Sequence, residues 1–216
     1  MMSSGWWTLT RVRGAPIRVH WTLLAGAFIW GGFRFEPAFW LGFATLILLH
    51  ELGHALFVVR YRLGLSEIAL HGAGGYCAHL HTGSRYQAAV VAWGGVLAQL
   101  ALFLALQAGY ALFGPPSSYQ LAVFLGVFGR TNLYLIALNL IPFEPLDGAK
   151  AWPLFGMLAA RLRNLASTRK ASTRRHKVQN HLRLLERLDT DAESPDQKTD
   201  RIVRDLIART TQPKDH

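Results

Sequence analysis

Acidic residues are scarce where apolar ones are dense. Residues 1–160 hold only five: Glu36, Glu51, Glu67, Glu144 and Asp147. With half the chain hydrophobic and a positive mean hydropathy, this scarcity excludes an ordinary soluble domain. A single cysteine, Cys77, excludes an intramolecular disulfide and leaves the compartment open. No small-residue cleavage site follows Arg11 and Arg13, so a signal peptide is not expected. No internal repeat is present. The charge that is present sits at the other end. From residue 161 onward there are fourteen Lys/Arg and eight Asp/Glu, so an apolar body (1–160) is followed by a basic tail (161–216). Such a tail suits nucleic acid or an anionic membrane surface. Beside several apolar runs, a solvated cytoplasmic tail near lipid headgroups is expected, with no nucleic-acid partner.

The apolar runs give the fold class. An all-α integral membrane protein is expected, with about four transmembrane helices, a small membrane-associated β-hairpin and a polar helical C-terminal tail. The spans are placed at about 17–33, 38–59, 87–113 and 119–141. Trp6 and Trp7 suit a water–lipid boundary ahead of the first span, and Arg18 and His20 are placed at its interface. Arg130 is the awkward residue of the fourth span, where a charge is costly unless it faces a cavity or reaches the interface. Between the second and third spans, Ser66–Leu70 and Tyr76–His81 flank the turn His71-Gly72-Ala73-Gly74-Gly75 and are expected to pair as a hairpin or re-entrant loop. In the tail, Val178, Leu182, Leu185 and Leu188 share one helical face, and Ile202, Val203, Leu206 and Ile207 another, with a linker at 189–196. Basic residues in the short loops place both termini in the cytoplasm.

One stretch carries chemistry. His50-Glu51-Leu52-Gly53-His54 lies inside the second span, after twelve uncharged residues. Two histidines four apart lie on one helical face, so both imidazoles reach one tetrahedral metal ion, and the glutamate between them is placed as a base acting on water. A catalytic zinc takes three protein ligands. Asp147 is the best third candidate, because it follows the fourth span on the same side of the membrane and its carboxylate needs a partner in so apolar a setting. A helix-capping aspartate is the alternative.

At this point the chain resembles the site-2 protease family of intramembrane zinc metalloproteases, in its compact bacterial and archaeal form. The carriers are the His50–His54 motif and Asn139-Leu140-Ile141-Pro142-Phe143-Glu144-Pro145-Leu146-Asp147-Gly148. Pro16–Trp21, Gly74-Gly75 and Ala92–Gln99 are lesser matches, and the resemblance covers roughly residues 14–155. It implies one zinc ion on His50, His54 and Asp147, Glu51 as general base, and Asn139, Gly74 and Gly75 in contact with substrate. The substrate would be a membrane-anchored protein held as an added strand on the hairpin and cut in or near its transmembrane segment, with a role in regulated proteolysis and a bacterial inner membrane as the location. Three positions depart from the pattern: Gly95 replaces a common proline, Gln99 a common asparagine, and Ala149 a frequent glycine. Two rivals are a metal carrier that passes zinc along histidines and a silent relative that only binds membrane proteins. His20, His71, His79 and His81 are read as interfacial or loop residues, outside the metal site.

Overall fold

The computed structural model describes residues 5–191 and 194–210. Residues 1–4 of the expected interfacial segment, 192–193 of the expected linker, 211–216 of the tail and the side chain of Leu188 lie outside the described residues. The chain forms two compact units, Met1–Ala159 and Ala160–His216.

The apolar run expected as a first span divides between strand and helix. Strands β1 (Trp6–Val12) and β2 (Ala15–His20) form an antiparallel hairpin. Arg13 and Gly14 both have positive φ at its two-residue turn, which suits the twist of the flanking strands. Ile17 and Val19 alternate with Arg18 and His20, a period of two that belongs to a strand. Helix α1 (Thr22–Trp30) then has only nine residues, about 14 Å, against a hydrocarbon core of about 30 Å. This segment therefore does not make the expected 17–33 span.

The hairpin expected after the second span is present as β3 (Leu65–His71) and β4 (Gly74–His79), but it is half of a larger sheet. β2 pairs parallel with β3, Ile17 beside Ile68, giving four strands in the order β1-β2-β3-β4. Arg18 on β2 pairs with Glu67 on β3 at 3.4 Å. β4 is an edge strand.

Three helical segments are long and apolar enough to cross a membrane. Helix α2 (Pro37–Arg60) starts with proline at its first turn and ends with arginine in its last. Phe43, Leu46, Ile47, Ala55 and Val58 are its buried hydrophobic residues. Helix α3 (Arg85–Phe113) is started by a capping box in which Ser84 and Gln87 bond each other's backbone N–H. The third crossing is composite: α4 (Tyr119–Gly126), a π turn (Val127–Thr131) and α5 (Asn132–Asn139). Arg130, the awkward residue of this span, thus lies in a π turn. Tyr119 donates to Glu36 at 3.1 Å, and Phe124 and Val127 lie against Gly42. The composite helix therefore runs beside α2 in the same direction. An apolar cavity of about 630 Å³, lined by residues such as Leu106, Phe113 and Phe128, lies between α3 and α4 and includes none of the expected site residues.

A loop follows to the short α6 (Gly148–Ala151), and then α7 (Pro153–Asp191) and α8 (Pro195–Thr210). The expected linker is helical up to Asp191. The described residues of the two expected tail faces are exposed.

A tight contact in the first unit joins α2 to α3. A Cβ on Gly53 would strike the Gly94 carbonyl oxygen, and a Cβ on Gly94 would come within 2.5 Å of the Gly53 carbonyl oxygen. Two backbones touch here, as small residues allow in a membrane. Gly94→Leu should lower the unfolding midpoint in detergent, at a cost of about 1–3 kcal/mol or more. Gly109→Leu on the same helix, where a Cβ meets nothing within 4 Å, should leave it nearly unchanged.

Candidate metal centre

Helix α2 places His50 and His54 one turn apart, and both are buried, at 7% and 6% exposure. Each imidazole is held by its Nδ1. His50 Nδ1–H donates to Gln99 Oε1 at 3.0 Å, and His54 Nδ1–H donates to the Val91 carbonyl at 2.7 Å. A neutral imidazole with its proton on Nδ1 presents a lone pair at Nε2. The two Nε2 atoms face each other at 3.0 Å. Two lone pairs at that distance need a cation between them.

Asp147 completes the set. Its Oδ2 lies 3.0 Å from His50 Nε2 and 3.2 Å from His54 Nε2. The three donors form a nearly equilateral triangle. Ligands about 2.0–2.1 Å from a tetrahedral zinc are about 3.3 Å apart, so the triangle has the size of one face of such a site. Two nitrogens and one carboxylate oxygen are donors that zinc accepts, and three protein ligands leave a fourth position open. Among the described residues, His50, His54 and Asp147 are the one group of three or more that could hold a metal ion.

The loop after α5 is built to deliver Asp147. Gly148 packs directly on the carbonyl oxygens of Leu140 and Ile141, where a side chain would not fit. Trp152 Nε1 donates to Leu140 O at 2.7 Å, and Trp93 Nε1 on α3 donates to Ala151 O at 2.9 Å.

Glu51 sits beside the triangle at 3% exposure. Its Oε2 has no hydrogen-bond partner among the described residues. A buried carboxylate oxygen left unpaired is costly, so this atom is an acceptor placed for something that enters. On its other side lies the hairpin: a Cβ on Gly75 would come within 2.6 Å of Glu51 Oε1. Gly74 is at the turn, clear of the site, with φ +135°. Asn139 closes α5, half-buried, and no side-chain hydrogen bond ties it to the donors among the described residues.

Four contributions were not foreseen in the sequence: Gly95, Gln99, Asn132 and the Val91 carbonyl. A Cβ on Gly95 would come within 2.5–2.7 Å of atoms of both imidazoles, so the missing side chain is what admits them. Asn132 is fully buried and donates to Gln99 O at 2.8 Å and to Phe128 O at 3.2 Å. The available signal was a buried amide within each of two apolar spans. Three of the other histidines have local partners. His20 shares a 2.7 Å bond with Thr22, His71 accepts from Ala73 N, and His79 donates to the His81 carbonyl. Burial and then the nearby His20 lower the tendency of His71 to take a proton. On β4, burial and then the Glu51 charge push the Cys77 thiol up to about 12.

No family model matches the chain. Over 115 residues it is 35% identical to a Synechocystis protein named "Putative zinc metalloprotease"; the match covers 50% of this chain and 30% of that protein. The chain thus spans under a third of the curated relative it matches. Its structure is similar to the site-2 protease of Methanocaldococcus jannaschii, with a TM-score of 0.55 and 23% identity over 68% of this chain and 69% of that one. The fold is therefore that of a site-2 protease, in agreement with the resemblance read from the motifs.

Two outcomes are expected at this site. Gln99→Leu should weaken zinc binding about 10–100-fold, measured by competition with a chromogenic chelator, because His50 loses the partner that fixes its tautomer. Cys77 should resist iodoacetamide at pH 8 in the folded protein. The thiolate is the reactive form, so a raised pKa slows alkylation by about a thousandfold relative to a free thiol, and unfolding should restore it.

Proposed function

We propose that the chain is an intramembrane zinc metalloprotease that hydrolyses a peptide bond in or near the transmembrane segment of a membrane-anchored protein. The observation that carries this is the convergence of His50 Nε2, His54 Nε2 and Asp147 Oδ2 beside a buried, unpartnered carboxylate oxygen of Glu51. A zinc ion bound to those three atoms supplies Lewis acidity toward water and toward a substrate carbonyl.

The chain's own residues do the rest. Gln99 and the Val91 carbonyl keep both imidazoles in the metal-binding tautomer. Glu51 takes a proton from the attacking water through its free oxygen and passes it to the nitrogen of the leaving amine. The outer edge of β4 takes the unwound substrate as a fifth strand, so backbone groups supply binding and side chains matter less. Gly75 keeps that strand close to Glu51, and Asn139 lines the path of the scissile segment. Helix-breaking residues in the substrate favour cleavage, because helical hydrogen bonds protect the peptide bond. A place in the bacterial inner membrane with both termini in the cytoplasm, and a role in regulated proteolysis, are parts of the same proposal.

The carrier reading needs a path of ligands, and the described residues hold one such cluster. Glu51→Gln separates the two. Zinc should remain bound, because Glu51 is not one of the three donors, while cleavage falls by about 10²–10⁴. The readout is a comparison of membrane proteomes from cells with the active chain and with the variant. Uncut substrates should accumulate with the variant. Cleavage that survives the substitution would overturn the proposed role of Glu51.

A further inference from the structure

Arg130 lies in the π turn at the middle of the third crossing, eleven residues after Tyr119 and nine before Asn139. That is about 14–16 Å from either end. The packing of Tyr119 on Glu36, and of Phe124 and Val127 on Gly42, sets its level beside Leu46 and Ile47 of α2. This is about one turn from His50, deep in the span. Yet Arg130 is exposed, and among the described residues its side chain makes no hydrogen bond or ion pair. Headgroup phosphates are far from this depth. A guanidinium cannot lose its charge there, so it needs an anion at the same level.

A second copy of this chain cannot supply one. The only acidic residue in any of the three crossings is Glu51, which is buried within its own site. The substrate path is also disfavoured. Asn132, two residues on and so on roughly the opposite side of the helix, bonds Gln99 on α3, so Arg130 points away from α3. The surface around Arg130 suits a helix. Gly126, Arg130, Leu133 and Ala137 are all exposed along the outer side of the composite helix, two of them small enough to let another helix approach. Gly126 leaves open space beside Arg130.

We propose that this outer face docks a transmembrane helix of a separate membrane protein, one that carries a carboxylate at mid-bilayer depth to pair with Arg130. The pair would neutralise both charges and fix the partner's register, while Gly126 and Ala137 let the backbones approach. This rests on the membrane reading and not on the protease reading.

The test uses the full chain in neutral phosphatidylcholine vesicles and three labelled single-span Leu/Ala peptides with a central Glu, Gln or Lys, followed by energy transfer. The Glu peptide should bind on the order of tenfold tighter than the Gln peptide. Arg130→Gln should erase that preference, Arg130→Lys should keep most of it, and Arg130→Glu should transfer it to the Lys peptide. Gly126→Leu should weaken binding of the Glu peptide by filling the space beside Arg130. Zinc content and melting of each variant report on folding, and the Lys variant keeps the test open if the Gln variant melts. Equal binding of the Glu and Gln peptides, or a preference that survives Arg130→Gln, would overturn the proposal. So would loss of the preference when phosphatidylglycerol is added, which would make lipid phosphate the partner, or cleavage of the docked Glu peptide, which would make this face part of the substrate path.

Discussion

The structure depends on the backbone contact between α2 and α3 at Gly53 and Gly94. In a bilayer no hydrophobic force drives two apolar helices together, and close packing has to do it. Here the contact also sets the site. Val91, Gly94, Gly95 and Gln99 share one face of α3 by their spacing. The first holds His54 by its carbonyl, the second touches α2, the third leaves room for both imidazoles, and the fourth holds His50. A looser contact would move α3 outward and release both Nδ1 partners at once. Packing and ligand orientation are one constraint at this interface.

The same helix reaches the third donor from its other side. Trp93 on α3 bonds the carbonyl of Ala151, and Trp152 bonds that of Leu140, which brackets the loop carrying Asp147. Gly148 packed on Leu140 and Ile141 closes that loop. Asp147 thus belongs to no span, yet its place is set by α3 and by the end of α5. Histidines four apart come together by helix geometry alone. The aspartate, nearly a hundred residues later, requires the tertiary structure.

What was legible in the sequence follows this division. The two histidines, the glutamate and Asp147 stood out because ionisable residues in apolar runs are few, and the structure brings the three donors to one point. The crossings expected at 38–59 and 87–113, helices α2 and α3, were legible from length and lack of charge. The sheet was harder. Ile17 and Val19 lie in an apolar run that reads as the start of a span, and their strand pairs in parallel with residues fifty positions away. Hydropathy cannot separate a buried strand from a short apolar helix, and no local turn announces a parallel partner. Gly95 and Gln99 were visible only as departures from a pattern. In the structure Gly95 is the space the imidazoles occupy, and Gln99 supplies the acceptor an asparagine would supply with a shorter stem.

The π turn ties these features to the composite crossing. It adds one residue to a helical turn, so everything after it is rotated by about 100° from where an unbroken α-helix would place it. Asn132 is the first residue beyond the turn. In its observed place it bonds both Gln99 O and Phe128 O, the latter a carbonyl within the π turn itself. Without the inserted residue, its amide would swing away from α3, Gln99 would lose a backbone partner, and α5 would present a different face to the donors. The loop that carries Asp147 leaves from the end of α5, so its direction depends on the same rotation. An irregular helix would be a liability where every backbone group needs a partner in the chain. Here the buried amide of Asn132 meets that need and links the turn to the backbone of the residue that holds His50.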